Sequence, residues 1–348
     1  MMQMKPNSPA AWWKAARFHF VPPSYLPAFL GGIAAWALTK SFYLSYFILT
    51  VTGVVLNHIA LNMTDDYFDF RHSVDLARNR EKNPYSGGSG VLTSGLLTPA
   101  AMRRVLTAFY VITIAIGVFL AAARGWQILI FAAFGIACSY FYTAPPVRYG
   151  YWGLGELSQL VNFSLTIGLG SFFVQSQRIA WEAAWAVLPL GFMMFSMITI
   201  NEIPDELDDR RGEKRTLVVR FGPRTAVGLY ALGMVCAYLV IIVAPLAGAA
   251  TRWMWLGAAT IPLFLHGFSI LCRHYRDAFA MSPANMITIR VHNLTGILLI
   301  VAYVMRGAGR GLDVREMAFP LIMLTVLYTP VAFAVFRPAP GAPAGGRL

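Results

Sequence analysis

The chain has 348 residues, 57% of them hydrophobic and only 13% charged, with a formal net charge of +12. That composition excludes an ordinary soluble globular protein, and so much apolar content excludes a disordered one. The basic excess alone would suit nucleic acid, but its distribution points to membrane topology and phosphate binding, so no nucleic-acid partner is expected.

A bilayer-spanning helix needs about 20 mostly apolar residues. Such runs lie near 24–40, 42–62, 102–123, 126–143, 154–176, 183–201, 225–248, 252–272, 286–305 and 317–336. They predict an all-α, polytopic integral membrane bundle of 9–10 transmembrane helices. Residues 1–23 carry Lys5, Lys14 and Arg17 but no continuous apolar core, so the first spanning helix is expected to direct insertion. Trp12, Trp13, Arg17 and Tyr25 read as an interfacial lead-in with aromatic anchors. With the N-terminus inside, 21 of the 28 Lys and Arg residues fall on that side and 7 on the other. This positive-inside asymmetry predicts an inner (cytoplasmic) membrane protein whose active-site cavity faces the cytoplasm. Cys138, Cys236 and Cys272 are too scattered for a disulfide framework or a zinc site and read as packing residues.

The second apolar run closes in Asn62–Asp75, which holds Asp65, Asp66 and Asp69. On a helix, residues three and four apart share a face, so His58, Asn62, Asp65/Asp66 and Asp69 line up. Three carboxylates within five residues repel one another, and a divalent cation would hold them together. A hard ion such as Mg²⁺ prefers carboxylate oxygens and keeps positions for phosphate. His58, at membrane depth, faces the bundle interior, either for function or to hydrogen-bond a neighbouring helix.

The loop at 70–101 carries Lys82, Ser86 and a Gly/Ser run to Gly90. There the backbone can approach an anion and turn N–H groups toward it. The fourth run stops at Pro145 and Pro146. The fifth opens on Glu156 and continues with Gln159 and Asn162, a polar stripe expected either to face a central cavity or to hydrogen-bond a neighbouring helix.

The sixth run closes in a second acidic cluster, with Asn201, Asp205 and Asp209 at i, i+4 and i+8. Both clusters lead into basic segments: Arg71, Arg78, Arg80 and Lys82 after the first, and Arg210, Arg211, Lys214 and Arg215 after the second. Acid followed by base, twice over, suits a metal-bound diphosphate: Asp65, Asp66, Asp69, Asp205 and Asp209 as metal ligands, with Lys82, Arg210, Lys214 and Arg215 on the phosphate oxygens. Later in the chain, the ninth run carries Asn285, Arg290, His292 and Asn293. The Pro/Ala/Gly-rich tail after Arg337 reads as disordered.

These motifs resemble the UbiA-type membrane prenyltransferases over roughly residues 15–305. Within that family the likeness is greatest to the 1,4-dihydroxy-2-naphthoate prenyltransferases of menaquinone synthesis. It rests on Asp65-Asp66-Tyr67-Phe68-Asp69 with Asp75, and on Asp205, Asp209, Gly212, Lys214-Arg215-Thr216-Leu217 and Val219-Arg220-Phe221-Gly222. Tyr149-Gly150-Tyr151 and Gly153-Leu154-Gly155-Glu156 are also similar. Three features depart from the pattern. Asp65 stands where the family has Asn. Arg148 is the nearest stand-in for a Lys often found after the fourth helix. The family usually has nine helices, so residues 1–310 form its domain and 311–348 add a further helix and tail.

The resemblance implies Mg²⁺-dependent transfer of a polyprenyl group from an allylic diphosphate to an aromatic acceptor, with 1,4-dihydroxy-2-naphthoate expected. Asp66, Asp69, Asp205, Asp209, Arg148 and Glu156 are the candidate catalytic residues. Asn62, Asp75, Lys82, Ser86, Asn162, Asn201, Arg210, Lys214, Arg215 and His292 are the candidate substrate-binding residues. The partners expected are the polyprenyl diphosphate, the aromatic acceptor and membrane lipid, with oligomeric state open. Another acceptor, internal cyclisation to a terpene, or, outside enzymes, secondary transport remain as alternatives. A transporter would place its ionisable groups near the midplane, often on broken helices, whereas these acids sit at helix ends.

Overall fold

The computed structural model describes residues 5–72 and 83–335. All ten apolar runs fold as helices, and no strand occurs among the described residues. The path begins with an interfacial α1 (Pro9–Ala16), then α2 (Pro22–Thr39), α3 (Leu44–Arg71), α4 (Pro99–Arg124) and the short α5 (Ile128–Tyr140). It continues through α6 (Gly155–Ser176), α7 (Trp181–Glu202), the short α8 (Glu206–Arg211) and α9 (Leu217–Phe221). The last helices are α10 (Pro223–Leu246), α11 (Arg252–His274), α12 (Ser282–Ala308) and α13 (Ala318–Val335).

Eight described helices are long and apolar enough to cross a membrane. The other two of the ten are α2, at 18 residues, and α5, at 13. The large apolar side chains left exposed, among them Ile112, Val118, Phe119, Leu232, Leu239 and Leu246, sit on the outer helices. An apolar exterior of this extent suits hydrocarbon rather than water.

The bundle is built around α2, whose residues from Pro22 to Ala37 are all buried. Side chains of α3 (Phe47, Val51), α7 (Val187, Leu190) and α12 (Leu299, Tyr303) pack around it. Lipid tails are as apolar as leucine, so burial from water does not drive helix association here; close van der Waals packing between small residues does. A Cβ at Gly31 would lie 2.0 Å from the Gly168 carbonyl oxygen, and one at Gly168 would lie 2.5 Å from Val187 Cγ1. The α2 and α6 backbones therefore touch, and Ser171 Oγ adds a 2.6 Å hydrogen bond to the Ala28 carbonyl. Beside this contact, α6 carries a π-helical stretch at Asn162–Leu169.

The last apolar run is part of this bundle. Leu324 of α13 lies in the core around α2, and Val331 packs with Leu61, Phe163 and Met194. Trp36 Nε1 donates to Glu316 at 2.8 Å just ahead of α13. The expected tail after Arg337 lies outside the described residues.

The Gly31–Gly168 contact yields a test. Gly31→Ala must push two backbones apart, and overpacking of this kind costs up to about 3 kcal/mol. The thermal midpoint in lipid should fall by several degrees. Gly228→Ala, where a Cβ meets open space, should leave it unchanged.

Candidate active site

Two acidic helix ends meet at one end of the bundle. The first is the C-terminal half of α3, where Asn62, Asp65 and Asp69 share a face. The second is not one continuous helix: α7 ends at Glu202, a turn carries Ile203–Asp205, and α8 resumes at Glu206. Asn201, Asp205 and Asp209 nonetheless line a cavity of about 150 Å³ together with Asn62, Asp65 and Asp69. Its apolar floor includes Leu61, Phe163, Met194, Met197 and Ile198.

The loop after α3 joins the two walls. Ser89 binds Asp66 through both its backbone N–H and its hydroxyl. Three residues earlier, Ser86 Oγ donates to Asp205 Oδ1 at 3.3 Å. Gly87 and Gly88, between them, line the cavity directly. The loop is anchored by Asn83 Nδ2, 3.0 Å from Asn285 Oδ1, while Asn285 Nδ2 donates to Asn201 Oδ1 at 2.9 Å. A chain of amides thus holds the loop against the second acidic wall.

Lys214 enters from the segment between α8 and α9. Its Nζ lies 3.2 Å from Asp69 Oδ2, and the Tyr151 hydroxyl donates to Asp69 Oδ1 at 2.8 Å. Burial works to lower the Lys214 pKa, but the carboxylates of Asp69, Asp209 and Asp65 outweigh it and hold the ammonium well above the ordinary lysine value. A strap fixes this segment. The Arg215 N–H donates to the Tyr151 carbonyl at 3.0 Å, and the Leu217 N–H donates to Glu156 Oε1 at 2.7 Å. Arg220 Nη2 reaches the Trp152 carbonyl at 2.8 Å.

Other sequence candidates lie outside this cavity. Asp66 does not line the cavity and instead holds Ser89. Glu156 is fully buried outside the cavity, where it accepts from the strap. Asn162 lines a different cavity, and His292 is buried on α12 away from the acidic walls. Arg148 lies over the Tyr151 ring at 5.2 Å, Arg210 pairs with Glu206 on the exposed side of α8, and Arg215 lies in an outer cleft with Arg210 and Arg220. Asp75, Lys82, Arg78 and Arg80 lie outside the described residues.

Other residues lining the cavity were not among the sequence candidates. Arg17 is one: its Nη1 stands 3.7 Å from Asp65 and 3.9 Å from Asp66. Asn62 Nδ2 fixes the neighbouring turn through the Ala16 carbonyl at 3.0 Å. Nothing local in the sequence distinguishes Arg17 from other interfacial basic residues. Tyr142 and Glu202 also line the cavity, joined by two residues the sequence had marked, Gln159 of the polar stripe and His58. Glu202 adjoins Asn201 in the second cluster, and that adjacency was its only signal.

Two Lys or Arg side chains, Arg17 and Lys214, therefore face five carboxylates, those of Asp65, Asp69, Glu202, Asp205 and Asp209. Asp65 Oδ1 is buried with no hydrogen-bond partner among the described residues. Oxygen donors in excess of local positive charge suit a hard divalent cation. Among the described residues no three His, Cys, Asp or Glu side chains converge closely enough to hold a metal ion unaided. The oxygen donors of Asp65, Asp69, Asp205 and Asp209 are thus divided between two walls of one cavity.

A sequence profile of the UbiA prenyltransferase family matches residues 24–294. A Bacillus subtilis protein named 1,4-dihydroxy-2-naphthoate octaprenyltransferase is 26% identical over 250 residues, covering 72% of this chain and 78% of that one. The Mycobacterium leprae protein of the same name is 28% identical over 260 residues, covering 74% and 83%. A solved structure of a UbiA homolog from Archaeoglobus fulgidus, bound to DMAPP and Mg²⁺, superposes with a TM-score of 0.60. It is 14% identical, over 83% of this chain and 99% of that one.

The Lys214 environment predicts a chemical signature. Because its folded pKa is raised, its charge persists as pH climbs through the range near 10.4 where free lysines lose theirs. Amine acylation at pH 9 should modify the exposed Lys14 and Lys40 readily and Lys214 markedly more slowly, because its ammonium is buried, raised in pKa and paired with Asp69. Mass spectrometry of the labelled peptides reads this out. Equal labelling would contradict the assigned contacts.

Proposed function

The chain belongs to the UbiA prenyltransferase family, and on that premise we propose that it transfers a polyprenyl group from an allylic diphosphate to 1,4-dihydroxy-2-naphthoate, with Mg²⁺, in menaquinone synthesis. The single observation that carries this reading is the charge of the cavity. Its walls present five carboxylates and two Lys or Arg side chains, so a diphosphate would be repelled unless cations entered with it. The names of the Bacillus and Mycobacterium relatives support the naphthoate acceptor, and the DMAPP and Mg²⁺ of the Archaeoglobus homolog support the donor and the metal.

In this scheme Asp65 and Asp69 on one wall, and Asp205 and Asp209 on the other, are the residues that hold Mg²⁺. Bound there, Mg²⁺ supplies neutralisation of the charge that develops on the departing diphosphate. Lys214 and Arg17 donate hydrogen bonds to diphosphate oxygens, a contribution that grows as the allylic C–O bond breaks and its electron pair moves onto oxygen. Gly87 and Gly88 leave the backbone free to approach the same group. The apolar floor of Leu61, Phe163, Met194 and Met197 excludes water from the allylic cation, and Tyr142 and Phe163 bring aromatic rings to the same cavity. The electron-rich acceptor ring then attacks, forming the new C–C bond, and its carboxyl group leaves as CO₂. The positive-inside distribution of Lys and Arg supports the cytoplasmic membrane, with this mouth on the cytoplasmic side.

The test is turnover of purified protein in lipid with a labelled polyprenyl diphosphate and a panel of acceptors. Prenylated naphthoquinol and CO₂ should form in equal amounts. Consumption of the diphosphate with no naphthoate requirement would overturn the acceptor. Asp69→Ala and Asp205→Ala should each lower kcat at least about a thousandfold. The double variant should be little worse, because groups acting as one unit are not additive. Near-normal turnover in either single variant would remove that wall from the site.

Glu156 has a separate signature as a positioning residue. Losing a charged hydrogen-bond acceptor costs about 1.5–3 kcal/mol, roughly tenfold or more in rate if it holds the Lys214 strap. Glu156→Leu should therefore lower kcat by about that factor with little change in KM. Glu156→Gln keeps an acceptor oxygen for the Leu217 N–H and should recover most of the rate. Equal loss in both variants would assign Glu156 a role that needs its charge.

A further inference from the structure

A second cavity lies between α3, α4, α5 and α6, at membrane depth and about 110 Å³ in volume. It shares no lining residue with the acidic one. The two stand on opposite sides of a wall made by the same helices. His58 and Phe163, with ring centroids 5.1 Å apart, face the acidic cavity. Their chain neighbours Asn57 and Asn162 face the other.

Most of this second cavity is hydrocarbon, contributed by side chains such as Ile116, Leu120, Ile128 and Phe131. Three polar atoms interrupt it. Asn57 Oδ1, Thr113 Oγ1 and Asn162 Oδ1 are buried with no hydrogen-bond partner among the described residues. Asn162 is 2% exposed and Thr113 is 8% exposed. The Asn57 amide nitrogen is already engaged with Ser139 Oγ at 2.8 Å, which leaves its oxygen as an acceptor. Two amide oxygens and a hydroxyl thus present acceptors into an apolar chamber, and a buried acceptor calls for a donor. The volume is several times what one water needs, and the walls are too apolar to order a cluster of waters.

The chamber also adjoins the apolar outer surface. A groove on the outer face of α4 and α5 shares Gly117, Ala132 and Ile136 with it. Beyond them the groove is lined by the lipid-exposed Ile114, Val118 and Leu129. Gly117 and Ala132 pack closely between groove and chamber, a Cβ at Gly117 falling 3.2 Å from the Ala132 Cβ.

We propose that this chamber is a second ligand site, taking from the bilayer an apolar molecule that carries a hydroxyl group, whose O–H donates to the Asn57 or Asn162 amide oxygen while its oxygen accepts from the Thr113 hydroxyl. Two membrane sources share that chemistry, a phenolic ring and a prenyl alcohol. The proposal does not depend on the transfer reaction, because its residues are separate from those of the acidic cavity.

Photolabelling of the full-length protein in nanodiscs tests it. The probes are small enough for the chamber: a diazirine-bearing phenol, a diazirine-bearing five-carbon prenyl alcohol and a diazirine-bearing alkane of matching size. At least one hydroxylated probe should label peptides from residues 113–136 at least about fivefold more than the alkane does. Labelling by the phenol alone identifies a phenolic ligand, and by the prenyl alcohol alone an isoprenoid alcohol. Asn162→Leu should reduce the specific label about fivefold. Thr113→Val, which is nearly isosteric, and Gly135→Val, whose Cβ would sit 3.6 Å from Asn162 Oδ1, should reduce it in proteins with unchanged thermal midpoints. Equal labelling by the alkane, labelling that survives Thr113→Val and Gly135→Val, or no label from any probe would overturn the proposal.

Discussion

The structure is organised by a charge imbalance placed at the edge of a low-dielectric bundle. Five carboxylates line one cavity with Arg17 and Lys214, and like charges so close repel strongly when water is scarce. The Lys214 ammonium, 3.2 Å from Asp69 and drawn by Asp209 and Asp65 as well, offsets part of that repulsion. The remainder is what a cation-bound diphosphate would neutralise. Substrate, metal and protein would then complete one electrostatic set that none of them closes alone.

Holding such a cavity open demands rigidity elsewhere. The buried α2 supplies it through backbone contact with α6 at Gly31 and Gly168. Around that column, α3 and α7 bring their acidic ends to the same side. The loop through Ser86 and Ser89 ties Asp205 to Asp66, and the strap through Tyr151 and Glu156 seats Lys214. Asp66 and Glu156 thus act behind the walls, one on each of the two segments that complete the site.

Helix existence was legible because ten apolar runs of near-spanning length admit little else in a bilayer. The pairing of Asp65 with Asp69, and of Asp205 with Asp209, was legible from four-residue spacing. Which of Asp65 and Asp66 faces inward was not, since neighbours on a helix point about 100° apart and either could lead. The stripe of Glu156, Gln159 and Asn162 divides for a related reason. Steps of three residues drift by about 60° each, so Glu156 meets the strap, Gln159 the acidic cavity and Asn162 the second chamber. Arg17 reaches Asp65 across 48 positions of chain, a contact that only tertiary packing creates.

The central claim is that two acidic walls form one site whose anion binds only with its cations. Calorimetric binding of a polyprenyl thiolodiphosphate, which keeps the diphosphate but resists ionisation, measures this directly in the purified protein. With Mg²⁺ present the analogue should bind, and in EDTA its affinity should fall by about a hundredfold or more, equivalent to about 2.7 kcal/mol. Undiminished binding in EDTA would contradict the account.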